Sequence, residues 1–264
     1  MSEDISQKSL EEAAGSWAPA VRFFAECDST NRIAREWAEE GAPDGSLVLA
    51  DHQTAGRGRM SRSWVSVPGS ALQFSLVLRP EMSLDSLGLL NLVAGAALAI
   101  AVRRLGVPAR VKWPNDLILD GRKAAGILSE AMTQNGVVTA VILGIGVNVN
   151  LRSEDLPEEL AATATSLLIT SGRSFDRLDV LAAFLSEFGP RYSGLRGARI
   201  DEVLNEYRRH CATIGQVVRI EVGDKVVEGE ATDVDGTGAL LLAGGERITA
   251  GDVSAGGAPD LLTS

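Results

Sequence analysis

Two dipeptides, Asp120-Gly121 and Asn135-Gly136, constrain this chain more than any other feature. Each lies between apolar runs. VKWPNDLILD precedes the first, KAAGILSEAM separates the two, and VVTAVILGIGVNVN follows the second. A two-residue hairpin turn needs positive φ at both central positions, and Asp-Gly and Asn-Gly supply it most readily. The two turns predict an antiparallel meander. Consecutive hairpins with helices elsewhere imply an α+β fold rather than a doubly wound parallel sheet.

The rest of the chain fills in around that meander. VRFFAECD at 21–28 reads as a strand, and Ser29, Thr30 or Asn31 can cap the helix that follows. Ile33, Ala34, Trp37 and Ala38 recur at helical spacing, and Gly41 can end the helix. SLVLA at 46–50 and ALQFSLVLR at 71–79 read as strands. Between them lie residues 51–70, a loop without periodicity. A loop that long in a compact domain is usually functional or mobile. Leu84–Leu105 is the most apolar helix, but its centre, LGLLNLVAGAALAIAV, carries Asn91 and falls short of the roughly 20 residues of a membrane span. It reads as a buried core helix, with no membrane partner. Further helices are expected at 176–188 and 199–210. From Thr213 the character changes: VVRIEV, KVVEGEATDV and ALLLA, with turns at Gly223-Asp224 and Asp235-Gly236, predict a small β-barrel. Three regions result: a poorly ordered segment 1–20, a catalytic body 21–212 and a β-rich unit 213–264.

Net charge is −10 over 264 residues, which argues against a protein that covers nucleic acid with a broad basic face. A small basic pocket remains compatible with it. The start, MSEDISQKSLEEAAGS, lacks the basic-then-apolar pattern of a secretory signal. Cys27 and Cys211 make neither a disulfide framework nor a zinc site, and the simplest location is a reducing cytoplasm. His52 and His210, the two histidines, have no companions that suggest a metal site or a catalytic triad.

Four clusters could carry chemistry. GRGRMSRSW at 56–64 has glycines that let backbone amides approach an anion, and arginines whose forks match phosphate or carboxylate oxygens. It is neither a Walker loop nor a dinucleotide fingerprint; the plain alternative is a solvated basic loop. KWPNDL at 112–117 wedges Lys112, Asn115 and Asp116 beside apolar strands. Buried and unpaired, each would cost about 1–3 kcal/mol, so they meet water, a ligand or one another; an ordinary Asx turn is the plain reading. GRKAAGIL at 121–128 starts an apolar strand with Lys123, either a surface residue or a cation aimed into a cavity. GIGVNVN at 144–150 puts Asn148 and Asn150 on one strand face, as solvated strand-end amides or as partners for a base edge.

Together, in this order and at about this spacing, the four clusters resemble the biotin protein ligases. Ser29-Thr30-Asn31 and His52-Gln53-Thr54-Ala55 fit the same pattern, and the likeness spans about residues 22–253. The chain looks like the short bacterial type, without a DNA-binding domain. The resemblance implies a class II synthetase-like catalytic domain with a mixed, mainly antiparallel sheet, plus an SH3-like C-terminal unit. It implies two steps: ATP and biotin give biotinyl-5′-AMP, and a lysine of a biotin carboxyl carrier domain of an acyl-CoA carboxylase then takes the biotinyl group. Lys123 would lie between the biotin carboxyl and the α-phosphate, with Arg57, Arg59, Lys112 and a Mg²⁺ ion screening charge. Ser29, Thr30, Asn31, Gln53 and the backbone at Gly56, Arg57 and Arg59 would serve the biotin ring; Gly126 and Leu128 would line the tail's slot. Arg59, Arg62, Trp64, Asn115 and Asn148 would serve the nucleotide. Asp116 would accept the acceptor lysine's proton or hold Mg²⁺. The loop's glycines suggest mobility when empty and closure over the adenylate. Many family members carry glycine where this chain has Ser61, so a Cβ there restricts the backbone. Monomer and homodimer both occur in the family.

Three other readings compete. Lipoate or octanoate attachment shares the fold, and its transferases need a nucleophilic cysteine, for which Cys27 is the candidate. A biotin-responsive regulator needs a helix-turn-helix, and only a segment of about twenty residues, acidic in balance, precedes the catalytic body. A non-catalytic nucleotide-binding protein would not need so full a set of cations.

Overall fold

The computed structural model describes residues 5–64, 66–196, 199–223 and 225–255; a helix at 7–14 lies within the segment 1–20 expected to be poorly ordered, and residues 1–4 of that segment lie outside the described residues. In α1 (Gln7–Ala14), the Ser6 side chain caps the helix and Ser9 reciprocates. Leu10 and Ala14 are buried. The Gln7 side chain takes the free edge of the first strand, donating to the Val21 carbonyl at 3.0 Å and accepting from Phe23 N–H at 2.9 Å. A short acidic helix with two core residues reads as disorder in sequence; contacts with distant chain order it.

The larger body then runs β1 (Val21–Cys27), α2 (Thr30–Glu39), β2 (Ser46–Gln53), β3 (Ala71–Leu78), α3 (Leu87–Arg104), β4 (Arg110–Lys112), β5 (Asp116–Leu119), β6 (Arg122–Gln134) and β7 (Val137–Asn148). Both glycine turns form as their sequences dictate. Asp120 and Gly121 have φ of 48° and 77°, and Asn135 and Gly136 have 52° and 79°. After β7 come α4 (Leu167–Ser171), α5 (Arg177–Arg196) and α6 (Ile200–His210). Helix α5 passes the expected end at 188, through Gly189 and Pro190. Trp17 fills the bare face of Gly189, where a Cβ would lie 2.4 Å from its ring, and Phe188 stacks on Tyr192 across the proline.

Seven strands form one sheet in the order β1-β2-β3-β7-β6-β5-β4. Only β1 and β2 run parallel; the other neighbours are antiparallel. This is the mixed, mainly antiparallel α+β fold that the meander predicts. One face, with Leu72, Phe74 and Leu76, packs on the helical layer of α3 and α5. Packed between sheet and helices, with most of its residues buried, α3 is the core helix that its interrupted apolar run predicts. On the other face, Ile33, Ala34 and Ala38 of α2 cover Val48, Val77 and Ile142. Helix α2 covers only part of that face, and the remainder is the floor of a cavity.

The C-terminal unit has β8 (Val217–Val222), β9 (Lys225–Val234), β10 (Leu240–Leu242), β11 (Arg247–Ile248) and β12 (Asp252–Ala255). They form a five-stranded sheet in the order β11-β10-β9-β8-β12. The seam with the body is tight. Buried Trp113, joined to Pro114 by a cis peptide, donates its indole N–H to the Gly238 carbonyl at 3.0 Å. A Cβ on Gly238 would lie 2.6 Å from the backbone of Gly88.

Candidate active site

One register line crosses five strands. Lys112 faces Asp116, Asp116 faces Gly126, Gly126 faces Gly146, and Gly146 faces Gln73. Facing residues share a side of the sheet. So Lys112, Asp116 and Gln73 rise from the side on which Gly126 and Gly146 leave bare backbone. The next line on that side holds Leu128, Gly144 and Ser75.

Lys123 should not join them. It stands three positions before Gly126, and strict alternation would send the two to opposite sides. A β-bulge corrects this. Leu117 faces Ala125 but Ile118 faces Lys123, so Ala124 is the extra residue on β6. Bulges re-aim side chains in this way beside active sites. The backbone of Lys123 is then clamped from its other edge: its N–H donates to Thr163 O and its carbonyl accepts from Thr165 N–H, both at 2.8 Å. Its Nζ lies 2.7 Å from Asp116 Oδ1.

The loop at 56–64 is a small hairpin. Trp64 N–H donates to Gly56 O at 2.9 Å and Gly58 N–H to Arg62 O at 2.7 Å. A Cβ on Gly56 would sit 2.6 Å from the Trp64 carbonyl, so that glycine serves the hairpin's own closure. The left-handed residue at the tip is Met60, with φ 52° and ψ 40°, rather than Ser61. The indole of Trp64 lies on the glycine floor; a Cβ on Gly146 would come within 2.5 Å of it. Its Nε1 is buried without a partner among the described residues. Each arginine of the loop reaches a different anchor. Arg57 meets Glu130 on β6 at 3.3 Å. Arg59 donates to Asn115 Oδ1 at 3.1 Å and Gly251 O at 3.4 Å. Arg62 pairs with Asp252 on β12. Burial pulls the Arg59 guanidinium below its ordinary value, opposed by the nearby charges of Asp252 and Asp116.

A chain of polar side chains runs along one end of the floor, on the cavity side. Gln53 Nε2 donates to Gln73 Oε1 at 2.9 Å, and Gln53 Oε1 accepts from Thr30 N–H at 2.7 Å and Thr30 Oγ1 at 3.1 Å. Ser75 Oγ lies 2.8 Å from Thr30 Oγ1 and 2.6 Å from Asn31 Oδ1. Ser29, Thr30, Asn31, Gln73 and Ser75 are all buried. Ser29 occupies the N-cap position of α2 but its side chain makes no capping bond. The amide of Asn31 fills the space above Gly144, where a Cβ would lie 2.1 Å from its oxygen.

These groups enclose a cavity of about 520 Å³, within the range of small-molecule sites. Ser29, Thr30, Asn31 and Gln53 line one end; Arg57, Arg59, Arg62 and Trp64 form the loop wall. Lys112, Asn115, Asp116 and Lys123 line the other end, with Gly126, Leu128 and Asn148 between. Of the residues that the resemblance assigns to biotin, nucleotide or catalysis, Gly56 alone does not line it; Asn150 does not line it either. A polar cleft of about 250 Å³ continues from it beneath the C-terminal sheet, past Lys112 and Asp116 to Gly251 and Asp252. Asn115 and Asn148 are less free than their motifs suggest. Asn115 Nδ2 donates to Ile127 O at 2.8 Å and Asn148 Nδ2 to Thr165 O at 3.0 Å. Asn150, on the same strand face in sequence, clips the backbone of Phe175 with both ends of its amide. Sequence reading passes over Gln73, Ser75, Glu130 and Asp252. The first two carried a signal: polar residues at alternate positions of an otherwise apolar strand.

Among the described residues no group of three or more His, Cys, Asp and Glu could hold a metal ion. Asp116 is the cavity carboxylate in contact with Lys123. The residues do not fit a resident Mg²⁺ cage; such an ion would draw most of its ligands from phosphate and water. Cys27 and Cys211 are free thiols. Burial, with Asp28 beside it, pushes the Cys27 thiol up to about 11, the reverse of what a nucleophilic cysteine needs.

Comparison with known proteins gives the class first. Residues 23–148 match the model of the biotin/lipoate A/B protein ligase family, and residues 213–256 match the biotin protein ligase C terminal domain. The biotin–[acetyl-CoA-carboxylase] ligase of Mycobacterium tuberculosis is 36% identical, over 94% of this chain and 95% of its own length. That of Paracoccus denitrificans is 34% identical, over 89% and 100%. The bifunctional ligase/repressor BirA of Bacillus spizizenii is 38% identical, over 86% of this chain and 71% of its own length. The biotin protein ligase from Aquifex aeolicus, solved in complex with biotin and ATP, superposes with a TM-score of 0.77 at 29% identity, covering 89% of this chain and 98% of that one. The chain belongs to the biotin protein ligase family.

Proposed function

We propose that the chain activates biotin with ATP as biotinyl-5′-AMP and transfers it to a lysine of a biotin carboxyl carrier domain of an acyl-CoA carboxylase. The observation that carries this reading is the convergence of two unlike ends in one cavity. The buried hydroxyls of Ser29 and Thr30 and the half-buried amide of Gln53 suit a neutral cyclic urea, and Lys112, Lys123, Arg59 and Arg62 suit a nucleotide's phosphates.

In the first step a biotin carboxylate oxygen attacks the α-phosphorus and pyrophosphate leaves with the electrons of the broken P–O bond. Two anions must approach, and negative charge grows on the phosphoryl oxygens. Lys123, re-aimed by the bulge and fixed at its backbone, meets that charge. Asp116 orients the ammonium until the substrates arrive. Arg59 and Arg62 face the phosphates, and Lys112 the leaving pyrophosphate. The Trp64 indole, lying on the bare backbone of Gly126 and Gly146, makes one flat apolar wall for the valeryl tail, with Leu128 at its side. The hairpin over the cavity excludes water from an anhydride that hydrolyses readily. In the second step the carrier lysine's amine attacks the anhydride carbonyl, AMP leaves, and an amide bond forms; Asp116 is the candidate acceptor of the amine's proton. A Mg²⁺ ion carried by ATP would screen phosphate charge, and Asp116 would be the protein carboxylate available to it.

The raised thiol of Cys27 disfavours the octanoyl-transfer alternative. The test is biotin-dependent exchange of pyrophosphate into ATP, with transfer of labelled biotin, lipoate or octanoate to the matching carrier domains. Exchange and transfer with biotin alone support the proposal. Transfer of lipoate or octanoate in its place overturns it.

A further inference from the structure

Glu130 lies on β6 next after Leu128 on the cavity side of the strand, yet outside the cavity itself. Its side chain is 19% exposed, and three groups converge on it. Asn31 Nδ2 donates to Oε2 at 2.7 Å. Arg57 Nη2 lies 3.3 Å and Arg35 Nη2 4.0 Å from Oε1. Asn31 is the last member of the polar chain that starts at Gln73 and Gln53. Arg57 belongs to the first limb of the hairpin, where it pairs across to Ser63. Glu130 is therefore the junction between the floor of the cavity and the loop that covers it.

Both contacts are directional. The carboxylate only accepts, so it turns the Asn31 amide with nitrogen outward and oxygen toward Ser75. The Arg57 side chain is 59% exposed, and a long solvated side chain would otherwise sample many rotamers. Pairing with Glu130 fixes where the first limb of the hairpin lies over the sheet.

We propose that Glu130 is a positioning residue, which anchors the 56–64 hairpin through Arg57 and orients Asn31, so that the loop backbone is held over the cavity before a ligand arrives. The part that concerns biotin rests on the function proposed above; the part that concerns the empty loop does not.

Glu130→Gln keeps the size and the bond from Asn31 but removes the charge that holds Arg57. In ligand-free protein, trypsin cleavage after Arg57, Arg59 and Arg62 is expected to quicken about fivefold, the size of one partly exposed ion pair. Glu130→Asp is expected to fall between parent and Gln. At about 0.5 M salt the gap between parent and variant should narrow, because only the parent has the Arg57–Glu130 pair to lose, while the Arg62–Asp252 pair is screened in both. A packing role would not show that convergence. Biotin affinity should weaken about fivefold in the Gln variant, with an unchanged melting temperature. Equal cleavage in parent and Glu130→Gln overturns the proposal, as does faster cleavage spread over the whole chain. A parent that fails to bind biotin sinks the reading of the cavity and leaves the ligand-free cleavage test to judge Glu130.

Discussion

Lys123 Nζ lies 2.7 Å from Asp116 Oδ1 because a bulge opposite Leu117 and Ile118 turns the lysine onto the face that holds the aspartate. The pair stands at the head of the cavity and is partly exposed, so its net contribution to folding is small. Its value lies in where it holds the ammonium. Asp116→Ala is predicted to slow biotin transfer about 10–100-fold, the cost of losing a charge-assisted contact of about 1.5–3 kcal/mol. The melting temperature should hardly change. A large drop in melting temperature with normal transfer would reassign the pair to structure.

The glycines of β7 predict opposite outcomes for one substitution. Gly144→Ala drives a methyl into the amide of Asn31, buried under α2, and is predicted to destabilise the fold by about 1–3 kcal/mol. Gly146→Ala meets the indole of Trp64, carried on a loop that can lift away. It should leave the melting temperature nearly unchanged, expose Trp64 and speed cleavage of the hairpin. Thermal melts and Trp fluorescence read the two effects separately.

Trp113→Phe removes the donor to Gly238 O and leaves that carbonyl unsatisfied at the domain seam. A loss of about 1–3 kcal/mol is expected, seen as earlier denaturant unfolding. Unchanged unfolding would mean that the seam is held elsewhere.

Asp235 supplies a pH test. Its burial raises the carboxyl, but bonds from Thr237, Arg247 and Ala239 outweigh this and bring it down to about 2. A depressed acid stabilises the folded state in full above its unfolded value of about 4. That stability is lost as pH falls from there through about 2. Asp235→Asn should therefore destabilise at pH 7 and flatten the acid limb between those values. An unchanged acid limb would contradict the assignment.

Much of this was legible in the sequence. Asp120-Gly121 and Asn135-Gly136 gave the hairpins because turn chemistry is local. Helix α3 was legible from its apolar run, and the cavity residues from motifs that fall in the right order. What could not be read depends on register or on distant partners. Alternation alone would turn Lys123 away from Gly126, and nothing local marks Ala124 as the bulged residue. The order of α1 comes from Gln7 on the edge of β1. Glu130 and Asp252 are ordinary strand acids until the loop arginines meet them. Met60 shows the same limit: its left-handed backbone follows from the hairpin around it.

The most direct test of the account is the single-turnover rate of biotinyl-adenylate formation in the parent and in Lys123→Ala. If the bulge delivers Lys123 to the reacting phosphoryl group, the variant should be slower by about 10²–10³-fold, with biotin binding largely kept. Adenylate formed at the parent's rate by Lys123→Ala would contradict the account at its centre.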